Sequence, residues 1–152
     1  MRELARRFGE DIDLWGIAGL LHDLDYEYTA DKPEEHGYRT LEMLKGKDVP
    51  DEVLHAILAH VGHVSRDTLL DKAIYSVDPV TGLIVASALM HPTKSLAGMD
   101  ATFVGKRFKE KRFAAGANRE AIASCNEMGL DLQDFIEISL EAMRKISDEL
   151  GL

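Results

Sequence analysis

Leu14-Trp15-Gly16-Ile17-Ala18-Gly19-Leu20-Leu21-His22-Asp23 decides how this chain is read, because an uncharged, mostly apolar run ends abruptly on an imidazole and a carboxylate. Such a run predicts a helix entering a core, and its last two residues follow it inward. Burying a carboxylate without a partner costs on the order of the whole stability margin of a domain this size. Something must compensate it. A bound metal ion would do so, and the chain holds further His and Asp residues able to complete a coordination shell. The alternative is a satisfied pair, in which Asp23 caps a helix or orients His22 through a hydrogen bond.

Helical signals extend outward from that run in both directions. Leu4, Ala5 and Phe8 predict an opening helix that ends near Gly9, and Asp11 is the expected N-cap of a second reaching about Leu24. Pro33 stands near the start of a third, with Tyr38, Leu41 and Leu44 on its apolar face and Met43 beside it. Pro50-Asp51-Glu52 opens a fourth, in which Val53, Leu54, Ile57, Leu58 and Val61 keep helical spacing. Residues 67–76 predict a short fifth helix. Asp78-Pro79 opens a sixth, apolar and buried as far as Met90, where His91-Pro92 stops it.

Residues 99–113 predict a helix bearing basic side chains, Asn118 caps the next and Gly129 closes it. Asp131 begins a last amphipathic helix with Leu132, Phe135, Ile136, Leu140, Met143, Ile146 and Leu150 at three- and four-residue spacing. No run alternates apolar and polar residues for long enough to argue for a sheet, and no repeat, low-complexity tract or linker is visible. The expected fold is all-α, a single compact domain of about eight helices over residues 1–152.

The 152 residues suit one domain, able to bury about two thirds of its unfolded surface. Hydrophobic residues at 45% and charged residues at 30% are ordinary for a soluble globular protein, so neither disorder nor a membrane partner is expected. The longest nearly apolar stretch, 80–90, contains Thr81, Gly82 and Ser87 and is too short to span a bilayer. The opening residues 1–8 are charged and lack the apolar region of a cleavable signal. The single Cys125 excludes an internal disulfide framework and reads as a small buried apolar residue, consistent with a reducing cytoplasm. A net charge of −9 argues against duplex nucleic acid and leaves a small phosphorylated molecule as the expected partner. Within that acidic chain Lys106, Arg107, Lys109, Lys111, Arg112 and Arg119 form one basic island.

Candidate metal ligands are His22 and Asp23 on the second helix, His36 at the start of the third, His60 at the end of the fourth and Asp78 opening the sixth. Each lies at or near a helix end, where side chains from different helices converge. Nitrogen and carboxylate donors together favour Mn, Fe, Co, Ni or Zn, while Mg prefers oxygen alone. Such an ion lowers the pKa of a water and polarises a phosphoryl oxygen, so metal-assisted hydrolysis follows. His55 lies about 140° around an ideal helix from His60 and does not share its face. His63 shares that face unless Gly62 ends the helix first, and His91 reads as a helix-terminal residue. Asp78, standing before Pro79, has a capping reading as well. Asp25 reads as solvated or capping, with contact to substrate or metal-bound water as the alternative. The basic island spans more than one helical turn and is mostly a solvated face, with Lys94 and Arg107 the candidates for a substrate phosphate. Phe103, Phe108 and Phe113 read as core in preference to a base-stacking platform, and no nucleic-acid role is claimed from them.

The ordered set of His22-Asp23 ending an apolar helix, His36-Gly37 after a short gap, His60 closing a helix, and Asp78 in Ser76-Val77-Asp78-Pro79-Val80-Thr81-Gly82 resembles the HD-domain metal-dependent phosphohydrolases. The resemblance covers nearly the whole chain, since 106–119 and the closing helix look like an uncharacterised branch of predicted hydrolases in that superfamily. It implies a metal held by His22, Asp23 and Asp78, with Asp23 bridging to a second ion that His36 and His60 help to bind. His22 and Asp23 would then form the catalytic centre of a phosphohydrolase acting on a phosphomonoester or nucleotide through metal-activated water. The cofactor would be one or two divalent transition-metal ions.

The family has one more ligand histidine, on a helix preceding the His-Asp helix, and none of residues 1–21 is a histidine. That ligand is expected either upstream of Met1 or lost, and the chain reads as an HD-like domain shortened at its N-terminus. A lost ligand would make it a catalytically impaired metal-binding or ligand-sensing domain. A third reading is a structural interaction module in which His22 and Asp23 form a satisfied pair. An apolar face uncovered by a shortened first helix would favour a homodimer.

Overall fold

Asp11 accepts hydrogen bonds from the amides of Asp13 and Leu14, the N-cap expected from the sequence, and so starts α2 (Ile12–Leu21). The computed structural model describes every residue from Met1 to Leu152; the chain is all-α as expected, with no strand. It divides into two units, Met1–Tyr75 and Ser76–Leu152.

The first unit contains α1 (Arg2–Phe8), α2, α3 (Tyr26–Thr29), α4 (Tyr38–Leu44), α5 (Asp51–His60) and the opening turns of α6 (Leu69–Met90). The uncharged run turns out to be a track for α1 more than a buried helix. A Cβ at Gly16 would stand 2.5 Å from Arg2 Nε, and one at Gly19 would stand 2.7 Å from Met1 Cγ. Glycine at these two positions is what lets α1 lie against α2. Only Trp15 and Ala18 of α2 are fully buried, while Ile17, Leu20 and Leu24 remain exposed. Both α2 and α4 pack on α5, whose Val53, Ala56, Ile57 and Ala59 are sealed from solvent. Each large side chain buried there stabilises by about 1.5–3 kcal/mol. The third helix starts at Tyr38 and not near Pro33, because the chain first turns through Gly37 at φ 81°.

The expectation of two helices meeting at Asp78-Pro79 is corrected, since α6 runs unbroken through 22 residues with Pro79 inside it. A proline there has no N–H for the carbonyl of Tyr75, at a cost of about 3 kcal/mol. Buried Leu70 and Ile74 before it and Val80, Leu83 and Ile84 after it outweigh that loss at about 1.5–3 kcal/mol each. Asp78 is therefore an exposed residue in mid-helix and not the N-cap of a helix. The start is made by Thr68 and Asp71: Thr68 Oγ1 accepts from the Asp71 amide at 3.2 Å, and the Asp71 carboxylate accepts from the Thr68 amide at 2.8 Å. By length and composition alone α6 is able to cross a membrane, which the two shorter helices expected from the sequence were not; the core helix of a soluble protein passes the same test.

The second unit holds the rest of α6, α7 (Ala101–Lys109), α8 (Arg119–Ala123), α9 (Leu132–Arg144), α10 (Ser147–Leu150) and two short 3-10 turns. Asn118 and Asp131 cap α8 and α9 as expected, and Asp100 caps α7. α9 packs on α7 and buries Phe135, Ile136 and Leu140 completely, and Cys125 is buried as the sequence suggested. Helix α7 stops at Lys109 and does not reach Phe113. The Arg119 guanidinium explains this, because it donates to the carbonyls of Phe108, Glu110, Phe113, Ala114 and Ala117 and gathers 110–117 into successive turns. Phe103, Phe108 and Phe113 are half-buried and do not belong to the core, a second correction.

Candidate metal centre

α2 delivers His22 as its C-cap, and the following turn carries Asp23 and Asp25 before α3 begins. His36 comes from the turn ahead of α4, and His60 is the last residue of α5. Four of the five ligands expected from the sequence thus converge within the first unit. The Nε2 atoms of His36, His60 and His22 lie 3.2, 3.5 and 3.6 Å from carboxylate oxygens of Asp23. The His60 ring stands 5.1 Å from that of His22 and 5.2 Å from that of His36, edge-on to both. His22, Asp23 and His60 each present a donor atom within 4.8 Å of the others.

The other nitrogen of each ring is already committed. His22 Nδ1 donates to the Gly19 carbonyl at 2.8 Å, His60 Nδ1 to the Ile57 carbonyl at 2.5 Å, and His36 Nδ1 to the Asp25 carboxylate at 2.7 Å. Protonation at Nδ1 leaves the Nε2 lone pair of all three rings directed at Asp23. His60 Nε2 is buried and makes no hydrogen bond. Three imidazole nitrogens and a carboxylate fit a borderline divalent ion. With bonds of about 2.1 Å, neighbouring ligand atoms stand roughly 3.0–3.4 Å apart, close to the 3.2–3.6 Å between the ring nitrogens and the Asp23 oxygens. Burial alone would raise the Asp23 pKa, but contact with the His60 ring and the nearby charges of His22, His60 and His36 hold it below the ordinary carboxylate range.

Asp23 is about 39% exposed at its side chain, so the buried carboxylate foreseen at the end of α2 lies two residues further on. Asp25 is fully buried, which corrects the solvated half of its reading and leaves the capping half standing. One of its oxygens takes the His36 proton, and the other accepts from the amides of Gly37 at 2.8 Å and Thr40 at 3.0 Å. It therefore caps α4 from a distance while it orients a ligand. Burial pushes its pKa up, and the His36 and Thr40 hydrogen bonds, the His36 charge and the Gly37 bond more than reverse this, leaving it lowered. The only sequence signal for it was a second aspartate after His-Asp, which has no helical-face argument because the residues between form a turn.

Gly37 completes the arrangement. Besides its positive φ, a Cβ there would stand 3.3 Å from the Ile57 carbonyl, the group that orients His60, and 3.1 Å from Val61 Cγ2. His63 is not in the cluster; its Nε2 donates to the His36 carbonyl at 2.8 Å and its ring stacks on Tyr38. His55 faces away, as its helical phase required, and bonds the buried Asp71 at 3.1 Å.

The remaining candidates belong to the second unit. Asp78 is exposed on α6. Lys94 is exposed in a turn with φ 49°, where its amide bonds the His91 carbonyl. Arg107 donates to both carboxylate oxygens of Glu110, at 3.0 and 2.9 Å. His91 has the helix-terminal role foreseen for it, with Nδ1 2.8 Å from Thr93 Oγ1.

A family model described as the HD domain matches residues 1–91, a span that contains His22, Asp23, His36, His60 and Asp78. Ribonuclease Y of Sulfurovum sp. (strain NBC37-1) is 26% identical over 152 residues, covering 98% of this chain and 30% of that protein. Ribonuclease Y of Aliarcobacter butzleri (strain RM4018) is 35% identical over 78 residues, 51% of this chain and 15% of that protein. The chain spans less than a third of the length of these relatives. No solved structure matches it.

Proposed function

Because the chain belongs to the HD-domain family, within the metal-dependent phosphohydrolase superfamily, we propose that it hydrolyses a phosphoester of a nucleotide or a similar small phosphorylated molecule. The observation that carries this reading is the shared orientation of three histidines. Each gives its Nδ1 proton to a fixed protein acceptor and turns Nε2 toward Asp23. A satisfied His-Asp pair needs one such ring, whereas a coordination shell needs all of them.

In this reading His22, Asp23, His36 and His60 hold one or two divalent ions. A divalent ion in that shell supplies Lewis acidity toward a phosphoryl oxygen and a water of lowered pKa. The chain itself supplies the fixed tautomers, the anionic charge of Asp23 and the support of Asp25 behind His36. Similarity to two ribonucleases supports a phosphorus centre bearing a nucleoside.

Protein purified without chelator or His-tag is expected to carry Mn, Fe, Co, Ni or Zn and to release phosphate from 5′-nucleotides or cleave bis(p-nitrophenyl) phosphate. Dialysis against EDTA should abolish turnover and metal addition should restore it. A metal-loaded protein inert toward monoester and diester alike would overturn the hydrolase and favour the ligand-sensing reading.

A further inference from the structure

The basic island of the second unit has a use that the metal centre does not absorb. Residues 101–120 contain six Lys and Arg against two Glu, on a chain whose net charge is −9. Arg107 is spent on Glu110, and Arg119 on five backbone carbonyls. Lys106, Lys109, Lys111 and Arg112 are exposed and form no ion pair. Beside them opens a cavity of about 430 Å³, with Phe108, Ala115 and Ala117 as its apolar lining and Lys109, Lys111, Asn118 and Arg119 as its polar one. That volume lies within the range of small-ligand pockets.

The wall of this cavity is built and not loose. Arg119 fixes the turns of 110–117, including Ala114 at φ 43°, a strained conformation for a residue with a side chain. Phe103, Phe108 and Phe113 are half-buried and alternate with the cations along the chain. The Arg107 guanidinium sits 5.1 Å from the Phe103 ring and 5.4 Å from that of Phe113. Flat apolar surface alternating with positive charge matches a ligand in which flat bases alternate with phosphates. A lone phosphate makes no use of the apolar lining, and a duplex hides its base faces.

We propose that residues 103–119 form a binding site for a single-stranded oligonucleotide, its phosphates on Lys109 and Lys111 and a base against Phe108. The proposal is independent of the hydrolase reading, because it invokes no metal ligand.

The test uses the full chain in EDTA, where turnover is absent, and a fluorescein-labelled oligouridylate of about ten nucleotides, a usual site size. Fluorescence anisotropy at low salt should show binding, and the K109E/K111E double variant should bind at least about tenfold more weakly. Its log–log salt dependence should be shallower by about 1.4, corresponding to two phosphate contacts on a single strand. Phe108→Leu, which keeps an apolar side chain, should weaken binding by at least about fivefold through lost stacking. Circular dichroism of both variants should match that of the parent. An oligonucleotide that fails to bind, or binds the double variant unchanged, would overturn the proposal. So would equal affinity for a duplex of the same length, or displacement by millimolar inorganic phosphate with Phe108→Leu unaffected, which would mark a simple anion site.

Discussion

Replacing Asp23 by alanine is expected to abolish metal binding while leaving the helices in place. Its two oxygens are what the three Nε2 atoms share, at 3.2, 3.5 and 3.6 Å. Asp25 is turned to the opposite nitrogen of His36 and to two amides. Three neutral imidazoles without the anion should hold a divalent ion at least about a hundredfold more weakly, since even loss of an outer hydrogen-bonding partner costs 10–100-fold. Asp23 is partly exposed and sits in a turn, so the metal-free variant should unfold within about 1 kcal/mol of the parent. Elemental analysis after stripping and reloading checks the first point, and urea unfolding in EDTA the second. Full metal occupancy in the variant would sink the site assignment.

Asp25→Ala is expected to have the opposite profile, with a large loss of stability even without metal. Its removal strands a histidine proton and the amides of Gly37 and Thr40 in a fully buried place. Losing one partner of a buried charged network costs about 3–5 kcal/mol. Asp25→Asn keeps one acceptor oxygen but not the other, and should cost about 1–3 kcal/mol. Metal affinity should fall about 10–100-fold in both variants, because His36 loses the group that fixes its tautomer. Acid titration provides an independent check. The folded-state pKa of Asp25 is lowered, so its stabilising contribution is complete above the ordinary carboxylate value near 3.9 and is lost as pH falls through the folded value. Below about pH 4 the parent should therefore lose stability more steeply than Asp25→Ala. Parallel acid unfolding of the two proteins would remove Asp25 from its assigned role.

The all-α class was legible because its signals are local, and four of the five candidate ligands come together in the fold. Asp11, Asn118 and Asp131 cap the helices they precede, and His22 and His60 stand at helix ends where the apolar periodicity put them, while His36 lies in the turn ahead of α4. What escaped depended on contacts distant in sequence. Asp25 caps a helix that begins 13 positions later through bonds spanning 12 and 15 residues, which no capping rule detects. Pro79 reads as a breaker to any local rule, and burial on both sides of it overrides that rule. Arg119 was counted with the basic island because its charge is visible and its carbonyl partners are not. The apolar run of α2 misled in the other direction: its glycines make room for α1 while Leu20 stays in solvent.

Gly37 joins two of the orienting contacts through a residue with no side chain. Its amide is held by Asp25, the support of His36, and its Cα packs toward the carbonyl that supports His60. A side chain at that position would press on the Ile57 carbonyl and would meet a backbone conformation that L residues rarely adopt. A descendant of this protein can therefore keep His22, Asp23, His36 and His60 and still lose their arrangement, which is better traced by the His36-Gly37 pair than by the histidine alone.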